Sequence, residues 1–156
     1  MIYLVGEVDE NMVLRVLTCL DKNPKRANFM LNSIGGSLSD GLAIYDRIRA
    51  LPVSTITATG VCASAATVIL QAAKIRRATP TTQFQFHLVD FGDTQDNKDF
   101  KTHYDNVVFK LFKKRVSWTS YQRALKEKVI DTFTALELGF IDEIYDGKIH
   151  AKPGLS

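Results

Sequence analysis

The sequence predicts an α/β domain built on a mostly parallel sheet. Residues 2–73 alternate strand-like and helix-like segments three times over, the pattern of a parallel sheet with right-handed crossovers. Two of the strand-to-helix turns are made of small residues, Ser33-Ile-Gly-Gly36 and Cys62-Ala-Ser-Ala65. The chain has 156 residues, enough for one domain with a sizeable core and too few for two ordinary ones.

Taken in order, residues 2–5 read as a buried strand ending at Gly6. Val13, Val16, Leu17 and Leu20 recur at helical spacing over residues 11–23, and Pro24 closes that helix. Residues 27–32 form a second apolar strand. Ser37-Leu-Ser-Asp40 resembles a capping box opening a helix through Leu51, stopped by Pro52. Residues 53–59 are a β-branched strand, and the Ala-rich apolar run after Ala65 is a buried helix.

A short strand over 74–79 and a Pro80 turn follow. In residues 83–87 the alternation sets Phe84 and Phe86 on one face and Gln85 with His87 on the other. A polar loop over 90–98 leads to a long helix over 99–116, whose Phe100, Tyr104, Val107, Val108, Leu111 and Phe112 make a broad apolar stripe. A shorter helix over 120–126 precedes a brief strand at Val129 and Ile130. Asp131 caps a helix through Leu138 that Gly139 ends. Residues 141–145 form a last strand, and the tail 147–156 is expected to be loose.

Composition narrows the function classes. A net charge of +3 with basic clusters at 22–26, 74–77 and 113–115 scattered among acids argues against nucleic-acid binding. The longest apolar run, around 61–73, is broken by Ser64, Thr67 and Gln71 and is short of a membrane span. The start lacks the basic residues and apolar length of a signal peptide. Cys19 and Cys62 form no metal spacing and read as reduced and buried, which fits a cytoplasmic protein.

Chemistry concentrates at the two small-residue turns. A serine at a tight strand-to-helix turn sits where free N–H groups and the positive helix end favour a developing oxyanion. Ser64 has that place, with small neighbours that admit a carbonyl; a plain N-cap serine would have it too. The surroundings are not the G-x-S-x-G elbow. Gly35 and Gly36 let backbone N–H groups turn toward an anion, or else form a tight βα turn. His103 and His150 read as surface residues, whereas His87 ends a strand. Nucleophile, base and oxyanion donors are thus all available.

Five segments together carry a resemblance: Asn32-Ser-Ile-Gly-Gly-Ser37, Gly41-Leu-Ala-Ile-Tyr-Asp46, Gly60-x-x-Ala-Ser64, a histidine after Pro80, and Ala135-Leu-Glu-Leu-Gly-Phe-Ile-Asp142. In order and spacing they resemble the proteolytic subunit of the Clp protease, over about residues 2–146. The resemblance implies a crotonase-like ββα-repeat fold with a protruding handle, here about 88–118, and a single peptidase domain over 1–146. It implies a serine endopeptidase without cofactor or metal. Ser64 is then the nucleophile, His87 the general base, and the N–H groups of Gly35 and Ala65 the oxyanion donors. An ungapped match back from Leu138-Gly139 places Glu127 at the family's triad aspartate, with Asp131 as competitor.

The implied partners are peptides or unfolded proteins as substrates and the chain itself in stacked rings. The chain opens directly on its first strand, so the family's axial segment, and with it docking of an AAA+ unfoldase, finds no support. Ile34 stands where the family commonly has proline, and His87-Leu-Val-Asp90 replaces His-Gln-Pro. Other readings are a phage head-maturation protease in the host cytoplasm, a catalytically silent ring subunit, and an acyl-CoA-processing relative.

Overall fold

The computed structural model describes residues 1–88 and 95–151. The first half runs β1 (Ile2–Val8), α1 (Glu10–Leu20), β2 (Arg26–Gly36), α2 (Leu38–Arg49), β3 (Val53–Ala63), α3 (Ala65–Gln71), β4 (Ile75–Ala78) and β5 (Gln83–Gln85). The second half runs α4 (Gln95–Phe112), α5 (Trp118–Glu127), β6 (Val129–Asp131), α6 (Thr132–Leu138), β7 (Glu143–Tyr145) and β8 (Ile149–Ala151). The sheet is ordered β1-β2-β3-β4-β7-β8, with β5 beside β3 and β6 beside β5. All pairs are parallel except β5–β6 and β7–β8. The mostly parallel α/β architecture expected from the sequence is present.

Alternation builds the sheet's inner face. In β2, Ala27, Phe29, Leu31 and Ser33 are buried while their neighbours face outward. They join Leu4 and Val8 of β1, and Ile56 and Ala58 of β3. Every residue of α3 is buried, as expected for a helix apolar on all sides and packed inside the domain. Each large side chain so buried is worth about 1.5–3 kcal/mol.

Helix ends follow the sequence signals. The side chains of Asp9, Ser37, Ser117 and Asp131 accept from the N–H groups of Met12, Asp40, Ser120 and Thr134. Gly139 ends α6 with φ 86°, and a β-carbon there would meet Arg115 O at 2.8 Å.

Five expectations need correction. The strands run further than their apolar stretches: Gly6 makes a register shift in β1 instead of ending it, and β2 and β3 continue to Gly36 and Ala63. The ladder continues because it needs only backbone groups, whatever the side chains. Of the expected loop 90–98, residues 95–98 are helical, and 90–94 lie outside the described residues. Cys19 is exposed, whereas Cys62 is buried.

In the expected loose tail, Ile149–Ala151 pairs with β7; residues 152–156 lie outside the described part. Finally, the α4 stripe is not one surface. Val108 and Phe112 are in the core, and Phe100 is 61% exposed.

An internal ion pair anchors the C-terminal part. Arg76, 2% exposed, donates to both Asp142 carboxylate oxygens at 3.1 and 2.5 Å, to Gln71 Oε1 at 2.6 Å and to Gly139 O at 2.8 Å. That set ties β4, α3 and the end of α6 together. Among the described residues no buried side-chain polar atom lacks a partner.

Candidate active site

β3 changes neighbour along its length. Residues 55–58 pair with β4, and residues 61–63 pair with β5. The register Cys62↔Phe84 and Ala63↔Gln85 continues into a bond from Ser64 N–H to Gln85 O, 3.0 Å. The turn carrying Ser64 and the segment carrying His87 therefore leave the sheet side by side, at the carboxyl ends of parallel strands. Ligand sites in open α/β sheets lie at such ends.

Ser64 is the N-cap residue of α3, with φ 53° and ψ −125°. A non-glycine residue held there stores about 1–3 kcal/mol of strain. Its side chain makes no capping bond. Instead its carbonyl accepts from the N–H and the hydroxyl of Thr67, at 2.9 and 2.7 Å. The turn is thus held through the backbone, and Oγ is not spent on the cap.

The glycine turn packs directly on this serine. A β-carbon on Gly35, whose φ is +95°, would lie 2.6 Å from Ser64 Cβ and 2.7 Å from Ala63 O. The Gly35 N–H donates to Ser33 Oγ at 3.1 Å. Gly36, not Gly35, lines the adjoining cavity. Ala65 supplies the first N–H of α3, and a β-carbon on Gly41 would touch Ala65 Cβ at 3.3 Å, so α2 approaches α3 closely.

That cavity, about 420 Å³, brings together Ser64, Ala65 and His87. Val68, Phe86, Val108, Phe112 and Leu125 form apolar walls, and Tyr104, Asp105 and Tyr121 add polar groups. Burial, with the charge of Asp105 as a smaller cause, pushes the Tyr121 phenol up to about 12. Tyr121 is therefore a neutral hydroxyl near pH 7. Phe112 touches Phe86, Tyr121 and Phe140 edge-on or tilted, which makes α4 one wall of the site.

His87 follows the buried Phe84 and Phe86 and is itself exposed. Its Nδ1 lies 2.8 Å from Leu88 O. The β5–β6 ladder pairs Gln83 with Asp131, Phe84 with Ile130 and Gln85 with Val129, and continues as Phe86 N–H to Lys128 O at 2.8 Å. Glu127, the last residue of α5, precedes Lys128 as His87 follows Phe86, so each adjoins that bonded pair. The Glu127 carboxylate accepts from Arg123 Nε at 2.7 Å, and Arg123 Nη1 donates to Glu137 at 3.1 Å.

Asp131 is at the other end of that ladder, four residues or about 13 Å along the strand from His87. Its carboxylate caps α6 through Thr134 N–H at 2.8 Å. That bond holds its pKa below the ordinary range. Among the described residues no hydrogen bond joins Ser64 to His87 or His87 to Glu127, and such bonds are often long without substrate.

Sequence reasoning missed Ser33 as the partner of the Gly35 N–H, and Arg123 as the partner of Glu127. The second was legible as a pair spaced i, i+4 on a helix. His103 is exposed, and His150 pairs with Asp146. Burial pushes the Cys62 thiol up, so it is an inert thiol. The described residues contain no cluster of three or more metal-ligating side chains, and none of their helices is long and apolar enough to cross a membrane.

The architecture matches solved structures. A mutant ClpP1 from Listeria monocytogenes superposes with a TM-score of 0.80 at 22% identity, over 92% of this chain and 90% of that one. The catalytic domain of the ClpP protease from Plasmodium falciparum gives 0.78 at 22% identity, over 97% and 87%. At that identity the likeness establishes the fold, a ClpP-type α/β fold. The Clp protease family model matches residues 1–148, and the chain belongs to the Clp protease family.

Proposed function

We propose that the protein is a serine endopeptidase working through Ser64, His87 and Glu127. The observation that carries this reading is the shared cavity. Ser64, uncapped on a strained turn, and His87, two residues past the neighbouring parallel strand β5, open onto the same 420 Å³ space. Ser64 Oγ attacks the scissile carbonyl carbon while His87 takes its proton and then delivers it to the leaving amine. Water repeats the exchange and releases the acyl group. Glu127, at the end of α5, turns to His87 and orients the imidazole.

The Ala65 N–H at the start of α3 stabilises the oxyanion. Gly35 adds a second donor once its N–H leaves Ser33 Oγ. Substrates are peptides or unfolded polypeptides, and the working form is an assembly of rings of this chain enclosing the sites.

The test is Ser64→Ala. Triad losses cost on the order of 10⁴ to 10⁶ in rate, so the variant should neither cleave a fluorogenic peptide nor react with a labelled fluorophosphonate. Undiminished hydrolysis by the pure variant overturns the assignment. A second reading, a catalytically silent ring subunit, draws on Glu127 being bonded to Arg123 and His87 to Leu88 O. No labelling of the unmutated, assembled protein at Ser64 would favour it.

A further inference from the structure

We infer that Arg123 is a positioning residue that competes with His87 for the Glu127 carboxylate and so sets the strength of the base at Ser64. The inference rests on the triad reading above and goes one residue beyond it. Three distances carry it. Glu127 Oε1 is 2.7 Å from Arg123 Nε, Arg123 Nη1 is 3.1 Å from Glu137 Oε1, and His87 Nδ1 is 2.8 Å from Leu88 O. The Phe86 N–H to Lys128 O bond of 2.8 Å sets His87 and Glu127 each one residue from the same bonded pair, yet each side chain is bonded elsewhere.

Geometry explains why the competition is open. Arg123 and Glu127 lie one turn apart on α5, where an arginine reaches a glutamate without strain. Glu137, on α6, holds the other branch of the guanidinium and fixes its direction. A glutamate, one methylene longer than aspartate, reaches either partner from the same backbone position. A guanidinium bonded to a carboxylate withdraws its lone pairs and its negative charge from any other donor. With Arg123 engaged, Leu88 O is the fallback acceptor for His87. When Glu127 turns to His87, it favours the imidazolium and strengthens the base.

The charged and titratable groups around these residues come from four segments. Glu127 faces Arg123 on its own helix and, through it, Glu137 on α6. Lys126 and Lys128 flank it in the chain. His87 shares its cavity with Tyr104 and Asp105 of α4 and Tyr121 of α5. The pair is 44% and 40% exposed on its two sides, so water damps its effect, and the shift it controls is small.

The experiment measures fluorophosphonate labelling of Ser64 against pH for the assembled protein and for Arg123→Ala, Arg123→Lys, Glu127→Gln and the double variant. Sedimentation and circular dichroism confirm equal assembly and fold. Arg123→Ala should raise the apparent pKa of the acid limb by roughly half to one unit. Arg123→Lys should stay near the unmutated profile, and Glu127→Gln should erase the shift in the double variant. An unmoved or lowered limb in Arg123→Ala overturns the inference. So does a rise that persists without the Glu127 carboxylate, because it is then a plain through-space charge effect. No labelling of the unmutated protein, or labelling that survives Ser64→Ala, defeats the triad reading itself, which separates the two failures.

Discussion

Gly35 and Ser64 touch backbone to side chain: a single β-carbon on Gly35 would sit 2.6 Å from Ser64 Cβ. The two turns of the site are therefore one packed unit. Gly35→Ala puts a methyl group into that contact at a φ of +95°, which alanine avoids. The variant should lose about 2 kcal/mol of stability. A displacement of the serine near 1 Å also costs roughly a hundredfold in rate. Urea unfolding and peptide hydrolysis check both. Full activity in Gly35→Ala would show that the turn yields without moving Ser64.

The third member of the proposed triad can be tested by ranking two carboxylates. Glu127 and His87 each adjoin the bonded pair Phe86 and Lys128 just past the β5–β6 ladder, and Asp131 stands opposite Gln83 at its far end while capping α6. Glu127→Gln should lower hydrolysis by on the order of tenfold to a thousandfold, because an amide cannot support an imidazolium. Asp131→Asn keeps a good cap and should leave the rate within about a factor of two. A reversed ranking would make Asp131 the better candidate.

Acid stability follows from Asp142. Burial by itself would raise its pKa, but the hydrogen bonds and charge of Arg76 outweigh burial and hold it below the model-peptide value of 3.8. A carboxyl group depressed on folding contributes stability above its unfolded pKa and loses it as pH falls through the folded one. Urea midpoints should therefore drop below about pH 4. Asp142→Ala should flatten part of that drop. It should also cost about 3–5 kcal/mol at neutral pH, because Arg76 is then left buried without its carboxylate. An acid limb unchanged in Asp142→Ala would mean that other carboxylates set it.

Much of this was legible because it is local. Phe84 and Phe86 announce by alternation the buried side of β5 and of the residue just past it, and Asp131 and Gly139 bracket α6 by capping chemistry that needs only neighbouring residues. The small residues at 35–36 and 62–66 marked where backbone had to approach backbone. What the sequence hid is long-range. Nothing local says that residues 129–131 pair antiparallel with residues 83–85, so Glu127 as a candidate partner of His87 had to come from a family match. The start of α4 was hidden for another reason. Gln95, Asp96, Asn97 and Lys98 carry no apolar period, and a helix turn made of polar residues looks like a loop. Phe112 misled in the opposite sense. It lies in one apolar stripe with the exposed Phe100, and only α5 folding back, with Tyr121 against it, separates the two.

The difference between Phe112 and Phe100 decides which of them can test assembly. Phe112 is 1% exposed and packs on Phe86, Tyr121 and Phe140. Phe112→Asp should therefore unfold the domain, since a charge buried unpaired costs several kcal/mol. Phe100, on the same helix, is 61% exposed. Phe100→Asp should change the stability of the isolated fold by no more than about 0.5 kcal/mol. In the proposed stacked rings α4 reaches across to the facing ring, and an apolar side chain there is covered by a symmetry mate. Phe100→Asp should then shift sedimentation from the large assembly to single rings or smaller species. Peptide hydrolysis should fall with the loss of assembly while circular dichroism stays unchanged. A stable monomer of the unmutated chain at micromolar concentration would sink the stacked-ring proposal, and an intact assembly in Phe100→Asp would move the contact off this part of α4.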